Sequence, residues 1–200
     1  RKYRGLVGIK PKVPIRDTAT LSVVYTPGVA KPCKEIAERY IGSFDYTMRG
    51  NTVAIVTDGS SVYGLGNVGA QAAIPMLESK SVYYKTFAGI DCFPIATDTQ
   101  NIDEFVEIVR YLSPTFGGFH LEDISAPKCF AIEERLKRAV ALPIFHGDQQ
   151  GTAVSVYAAL INALKVVDKK LEDCSVVING AGAAGTATAK FLKRAGAGKI

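Results

Sequence analysis

Apolar and polar positions along the chain alternate between two periods. Residues 51–57 (NTVAIVT) form a β-branched run ending in Asp58-Gly59, which predicts a buried strand and a turn. Residues 81–87 (SVYYKTF) predict a second strand, closed by Gly89. Ile102, Phe105, Val109 and Leu112 then recur at helical spacing, with Asp98 or Asn101 as the cap and Pro114 as the stop. The pattern continues with a short strand over 118–121 (GFHL), an amphipathic helix over 128–139 and a short strand over 142–146 (LPIFH). A long Ala-rich helix over 152–167, a strand over 176–179, a glycine loop and a helix from Thr186 complete it.

Strands alternating with helices predict an α/β fold with a mostly parallel sheet. Strands joined in this way bring their C-terminal ends to one edge, where ligands bind. The polar clusters follow the predicted strand ends: Asp58 after one, Glu122-Asp123 after another, Asp148 after a third and the glycines from 180 after a fourth. That coincidence is the main pointer to function.

Composition narrows the class without naming a chemistry. The chain has 200 residues, 48% hydrophobic and 22% charged, which excludes disorder, collagen and coiled coil as whole-chain readings. No stretch approaches a membrane span, and Arg1-Lys2-Tyr3-Arg4 leads into no apolar signal core. Cys33, Cys92, Cys129 and Cys174 lie far apart and form no C-x-x-C pair, so a reducing, cytoplasmic setting is expected. The net charge of +5 is scattered, with no basic stripe and interleaved aromatics, so no nucleic-acid partner is expected. Mild positive charge favours a small dianionic substrate.

Gly180-Ala181-Gly182-Ala183-Ala184-Gly185 follows an apolar strand and opens a small-residue helix, the context in which such glycines bind a dinucleotide. The first glycine makes the tight turn, the second lets backbone approach a pyrophosphate, and the third packs helix on strand. A second match, Gly64-Leu-Gly66-Asn-Val-Gly69, stands six residues (Asp58 to Tyr63) beyond its strand and reads instead as a packing or active-site loop. Glu122, Asp123 and Asp148, without Cys or zinc-like His spacing, suit a hard cation such as Mg²⁺ or Mn²⁺. Singly, Asp123 and Asp148 also read as helix caps. His120 and His146 each precede a carboxylate by two residues, which leaves open a two-His-plus-carboxylate site or two structural histidines. Tyr25, in a rigid Pro-Gly turn, and Lys80 read on their own as packing or surface.

Taken together, the motifs make the chain resemble the malic enzyme family, of the shorter bacterial type. The stretches that carry the resemblance are YTPGVA at 25–30, TDGSSVYGLGN at 57–67 and SKSVYYKTFAGIDCFPI at 79–95, then HLEDISAPKCFAIE at 120–133, PIFHGDQQGTA at 143–153 and VVINGAGAAGTATAKFL at 176–192. The resemblance implies oxidative decarboxylation of malate to pyruvate and CO₂ with reduction of NAD or NADP. It implies Tyr25 as general acid, Lys80 as general base, and Glu122, Asp123 and Asp148 as ligands of Mn²⁺ or Mg²⁺. It also implies a dinucleotide loop at Gly180 to Gly185 and assembly as a homodimer or higher homo-oligomer.

The implied division is a substrate and metal domain over 1–150 and the beginning of a Rossmann-type domain over 151–200. Two departures stand out. Many relatives carry Asp-Asp where this chain has Gly147-Asp148; an aspartate at 147 is expected to stand beside the metal and pair with Lys80. Larger relatives carry an Arg near the GLG loop where this chain has Ser61. A metal-dependent 2-keto acid decarboxylase on the same fold and a non-catalytic nucleotide-binding module are the alternatives.

Overall fold

The computed structural model describes residues 4–200. Three short helices come first: α1 (Thr18–Val24), α2 (Ala30–Glu38) and α3 (Ser43–Tyr46). The Asp17 carboxylate caps α1 by accepting the Thr20 N–H at 2.7 Å. Neither α1 nor α2 buries a residue, and apolar side chains such as Ile9, Val23 and Tyr25 stand exposed along this region.

The body of the fold is a sheet with helices on both faces. Its elements are β1 (Thr52–Thr57), α4 (Ala70–Tyr83), β2 (Asp91–Ala96), α5 (Ile102–Leu112), β3 (Gly118–Leu121), α6 (Lys128–Ala139) and β4 (Ile144–His146). Two further helices follow, α7 (Thr152–Val166) and α8 (Ala183–Arg194), which meet through the Tyr157 and Phe191 rings at 5.1 Å. The strand order is β2-β1-β3-β4 and every pair is parallel. The chain passes from β1 to β2 on one side, then returns across β1 to β3. The order therefore reverses at β1, and in sheets of this kind ligands bind beyond the C-terminal ends of the strands at such a reversal.

Side-chain alternation splits the core between the two faces. Ala54, Val56, Phe119 and Leu121 face α5 and α6, where Phe105, Val109, Ile132 and Leu136 complete a buried cluster. Ile55 faces the other way and packs with Leu77 of α4 and Cys92 of β2. Asn101 caps α5, its side-chain oxygen accepting the Asp103 N–H at 2.8 Å and the Glu104 N–H at 3.2 Å. Replacing Asn101 with Ala is expected to cost about 1 kcal/mol in denaturant unfolding; no loss would mean that water serves these donors equally well.

Three expectations are corrected. Residues 81–87 are not a strand: α4 runs through Tyr83 and continues as a π-helical turn, Tyr84–Ala88. Ala70, Ala73, Leu77 and Ser81 are buried at helical spacing, whereas Tyr83 and Phe87 stand exposed, so the aromatic run is helix surface. The strand beside β1 is Asp91–Ala96 instead, with Pro94 tolerated because β2 lies at the sheet edge. Residues 176–179 form no ladder. Their neighbour Ser175 makes one bridge to Lys199, and Val177 is 93% exposed. The last helix starts at Ala183, three residues before Thr186, with Gly182 at its N-cap. Among the described residues, no helix is long and apolar enough to cross a membrane.

Candidate functional site

Adjacent parallel strands end together, and that alone assembles the carboxylates. The β3–β4 ladder closes with Leu121 opposite His146. Glu122-Asp123 and Gly147-Asp148 therefore emerge side by side at the C-terminal edge. Asp148 Oδ2 accepts the Asp123 N–H at 3.1 Å. Glu122, Asp123 and Asp148 each offer one carboxylate oxygen, and these three atoms lie within 4.8 Å of one another. The turn after β1 forms the neighbouring wall. Asp58 pairs with Lys128 at 2.5 Å, Ser60 Oγ accepts the Ser125 N–H at 2.9 Å, and the Ser61 N–H donates to the Asp123 carbonyl at 3.0 Å.

Packing three anions into a buried edge has an electrostatic cost. Burial, then the charges of Glu122 and Asp148, push the Asp123 carboxyl up to about 7. Burial, then the Glu122 charge, also raise Asp148. Asp123 Oδ2 is buried and accepts no hydrogen bond. A buried oxygen without a donor, next to two more carboxylates, fits a divalent cation: hard oxygen ligands bind it, and its charge removes the repulsion.

Lys80 and His120 flank the trio. Lys80, on the last turn of α4, reaches Glu122 Oε1 at 2.5 Å with its side chain 32% exposed. His120 Nε2 meets Glu122 Oε2 at 2.6 Å, and the Tyr84 hydroxyl meets His120 Nδ1 at 2.6 Å. Burial works to raise the Glu122 pKa, but the hydrogen bonds and charges of His120 and Lys80 outweigh it and hold the carboxyl below its usual value. The site thus keeps one carboxylate firmly ionised and two that are reluctant to ionise without a cation.

Residues 7–137 match the family model described as malic enzyme, N-terminal domain, and residues 149–198 match malic enzyme, NAD binding domain. The chain belongs to the malic enzyme family. It is 53% identical over 193 residues to the bifunctional malic/malolactic enzyme of Bacillus subtilis (strain 168), covering 96% of this chain and 47% of that protein. It is 51% identical to the NAD-dependent malic enzyme of Geobacillus stearothermophilus, covering 98% of this chain and 41% of that protein. Among solved structures, the malic enzyme from Pyrococcus horikoshii Ot3 superposes with a TM-score of 0.93 at 49% identity, covering 96% of this chain and 44% of that one. The chain spans under half the length of each of these three relatives.

The remaining residues singled out by family resemblance fall in different places. Tyr25 lies at the end of α1, 66% exposed, and hydrogen-bonds to none of Lys80, Glu122, Asp123 or Asp148 among the described residues. Gly180 takes φ +120° and α8 begins at Ala183, with Ala183, Ala184 and Gly185 in its first turn. A Cβ on Gly185 would overlap the Gly180 carbonyl, so a glycine there lets the first turn of α8 lie close against the loop. The loop at Gly64 to Gly69 folds on itself through a Val62–Gly66 bridge and leads into α4.

Neither aspartate caps a helix. The α6 N-cap is Pro127, without a side-chain bond, and Asp148 sits in a π-helical turn, Gly147–Gly151. The two histidines do not join in one metal site. His120 is engaged by Tyr84 and Glu122, and His146 is fully buried, its Nδ1 3.9 Å from Asp148 Oδ2. The expectation for position 147 also changes. A Cβ there would overlap Glu122 Oε2 and His120 Nε2, so Gly147→Asp would displace side chains as well as add charge.

Sequence reasoning overlooked Tyr84 and the pairing of His120 with Glu122. The available signal was the helical spacing from Ala70 through Ala73, Leu77 and Ser81 to Tyr84, which brings Tyr84 to the side facing the sheet.

Carboxyls raised on folding make stability fall with pH. Between the ordinary Asp value of 3.8 and about 7, folded Asp123 holds a proton that the unfolded chain has lost. Stability then declines as pH rises through that window. His146, pushed down from 6.5 to about 4 by burial, acts in the opposite sense between those values. Comparison with Asp123→Asn cancels the histidine. In EDTA, the wild-type chain is expected to lose stability relative to Asp123→Asn as pH climbs from about 4 through 7. Mn²⁺ should offset that loss, because cation binding releases the protons. Unfolding curves across this range check it, and parallel pH profiles would contradict it.

Proposed function

We propose that the chain carries the catalytic part of an enzyme that oxidatively decarboxylates malate to pyruvate and CO₂ with reduction of NAD or NADP. The observation that carries the reading is the convergence of Glu122, Asp123 and Asp148 beside Lys80, with a buried Asp123 oxygen left without a donor. Family membership supplies the substrate class. The B. subtilis relative is named a malic enzyme and the G. stearothermophilus relative an NAD-dependent one, while an Escherichia coli (strain K12) relative, 46% identical, is named NADP-dependent.

In this reading Glu122, Asp123 and Asp148 hold Mn²⁺ or Mg²⁺, and Gly180 to Gly185 hold the dinucleotide. When bound, the cation supplies Lewis-acid polarisation of the substrate's C2 oxygen, and the dinucleotide supplies a hydride acceptor. Lys80 Nζ, once it has given up the proton it carries in the ion pair with Glu122, takes the proton of the C2 hydroxyl as malate is oxidised. After CO₂ leaves, the Tyr25 hydroxyl returns a proton to C3. That last role needs α1 brought over the carboxylates.

The substrate and metal domain spans 1–150, and the dinucleotide domain begins at 151. The two family-model matches, which part between 137 and 149, support that division. The exposed apolar side chains of the first helices support assembly as a homodimer or higher homo-oligomer. The activity test is malate-dependent NAD(P)H absorbance with Mn²⁺, measured on an enzyme of the relatives' full length that contains this chain and repeated with EDTA. Formation that EDTA abolishes supports the reading, and no formation with either nucleotide rejects it.

A further inference from the structure

We propose that His120 is a positioning residue for Glu122, held in place by Tyr84 and given room by Gly147. The inference rests on the reading of Glu122 as a cation ligand. It assigns roles to residues that touch neither the cation nor the substrate in that reading.

The arrangement follows from strand alternation. His120 lies opposite Ile55 in the β1–β3 ladder and so faces α4, as does Glu122 two residues on. On that face the π-helical turn after α4 brings the Tyr84 hydroxyl to His120 Nδ1 at 2.6 Å. The rings of Tyr84 and Phe145 both meet the imidazole edge-on, at 5.6 Å and 5.1 Å between centroids. His120 is only 4% exposed, so the ring meets these partners away from solvent.

Donor and acceptor chemistry then fixes a direction. An ionised carboxylate only accepts, so His120 Nε2 carries the hydrogen that meets Glu122 Oε2. In the neutral ring Nδ1 is left as an acceptor, and the Tyr84 O–H donates to it. One Glu122 oxygen is thereby committed to His120. The other, Oε1, is the oxygen that meets a cation, here the Lys80 ammonium at 2.5 Å.

Gly147 is the third part of the device. A Cβ at that position would overlap both Glu122 Oε2 and His120 Nε2, the two atoms of the hydrogen bond. The bond occupies the space where a side chain from residue 147 would begin. Any larger residue there, including the aspartate expected of many relatives, has to displace Glu122 Oε2 or His120 Nε2 from this contact.

Two measurements on the intact protein test the proposal. The first is ¹⁵N NMR of the histidine ring nitrogens in the metal-free protein at mildly alkaline pH. An Nε2–H tautomer of His120 supports the proposal and an Nδ1–H tautomer overturns it, whether or not a metal binds. The second is Mn²⁺ affinity by electron paramagnetic resonance, with thermal unfolding to confirm that each variant folds. His120→Leu should weaken Mn²⁺ binding by roughly 10- to 100-fold, the range for residues that orient a ligand. His120→Gln, which keeps an N–H donor, should recover part of it, and Tyr84→Phe should lose less than His120→Leu.

Gly147→Ala, which leaves His120 itself intact, should also weaken binding. Asp148→Asn separates the two readings. If it abolishes Mn²⁺ binding while folded His120→Leu and Gly147→Ala leave the affinity unchanged, the positioning role is wrong and the metal site stands. If Asp148→Asn binds Mn²⁺ unchanged, the metal site is wrong, and the tautomer still decides the His120 geometry.

Discussion

Asp148→Asn is expected to fold normally and to lose both metal binding and turnover. Asp148 supplies one of the three oxygens that lie within 4.8 Å of one another, and its other structural duty is one hydrogen bond from the Asp123 N–H. An amide of the same shape can still accept that bond through its oxygen. It cannot supply the charge that draws a dication. Residues that only orient a ligand change metal affinity by about 10- to 100-fold, so loss of a ligand should cost at least about 100-fold. Turnover should fall further. Lewis-acid stabilisation worth about 4 kcal/mol corresponds to about 10³-fold in rate. Calorimetry with Mn²⁺ and steady-state kinetics measure the two effects; an unchanged Mn²⁺ affinity would remove Asp148 from the ligand set. The variant should also relieve the repulsion that raises Asp123, so its metal-free form should be no less stable than wild type.

Lys80→Ala should divide the overall reaction. General-base catalysis contributes about 10²- to 10⁴-fold, so malate oxidation should slow by that order. Decarboxylation of added oxaloacetate needs no hydroxyl proton removed and should survive. Metal binding should not weaken. The Lys80 ammonium is paired with Glu122 at 2.5 Å, and its charge opposes the upward shifts of Asp123 and Asp148. Removing a cation from beside a cation site should leave Mn²⁺ affinity equal or higher. Parallel assays of malate oxidation, oxaloacetate decarboxylation and Mn²⁺ binding distinguish this outcome from general damage. Equal loss in all three would show that Lys80 supports the structure of the site and does not act as its base.

The site was more legible in sequence than the sheet that carries it. Glu122-Asp123 and Asp148 could be placed at strand ends because an apolar run followed by a carboxylate marks where a buried parallel strand reaches solvent. Adjacency of those strands, which makes the three residues one site, is a tertiary fact set by the order β2-β1-β3-β4. The misread segment, 81–87, combines β-branched and aromatic residues that favour strands. Its helical character lies in the spacing from Ala70 to Ser81, upstream of the segment itself. β2 was hidden for the opposite reason, because Asp91 and Pro94 are poor strand formers that an edge position tolerates.

His120 shows how far residue identity reaches. Its two-residue spacing from Glu122 placed both on one face and favoured a structural histidine, with a metal ligand as the lesser alternative. Only the arrival of Tyr84 from the π-helical turn after α4, together with the space above Gly147, identified its partners. The role of Gly147 as an absence of bulk could not be read at all, because a missing side chain has no pattern of its own.

The most direct test of the account uses malate labelled at the carboxyl β to the C2 hydroxyl, with Mn²⁺ and either nucleotide. The account predicts labelled CO₂ and NAD(P)H in a one-to-one ratio, both abolished by EDTA. NAD(P)H without CO₂, or CO₂ from oxaloacetate with no malate oxidation at all, would contradict it.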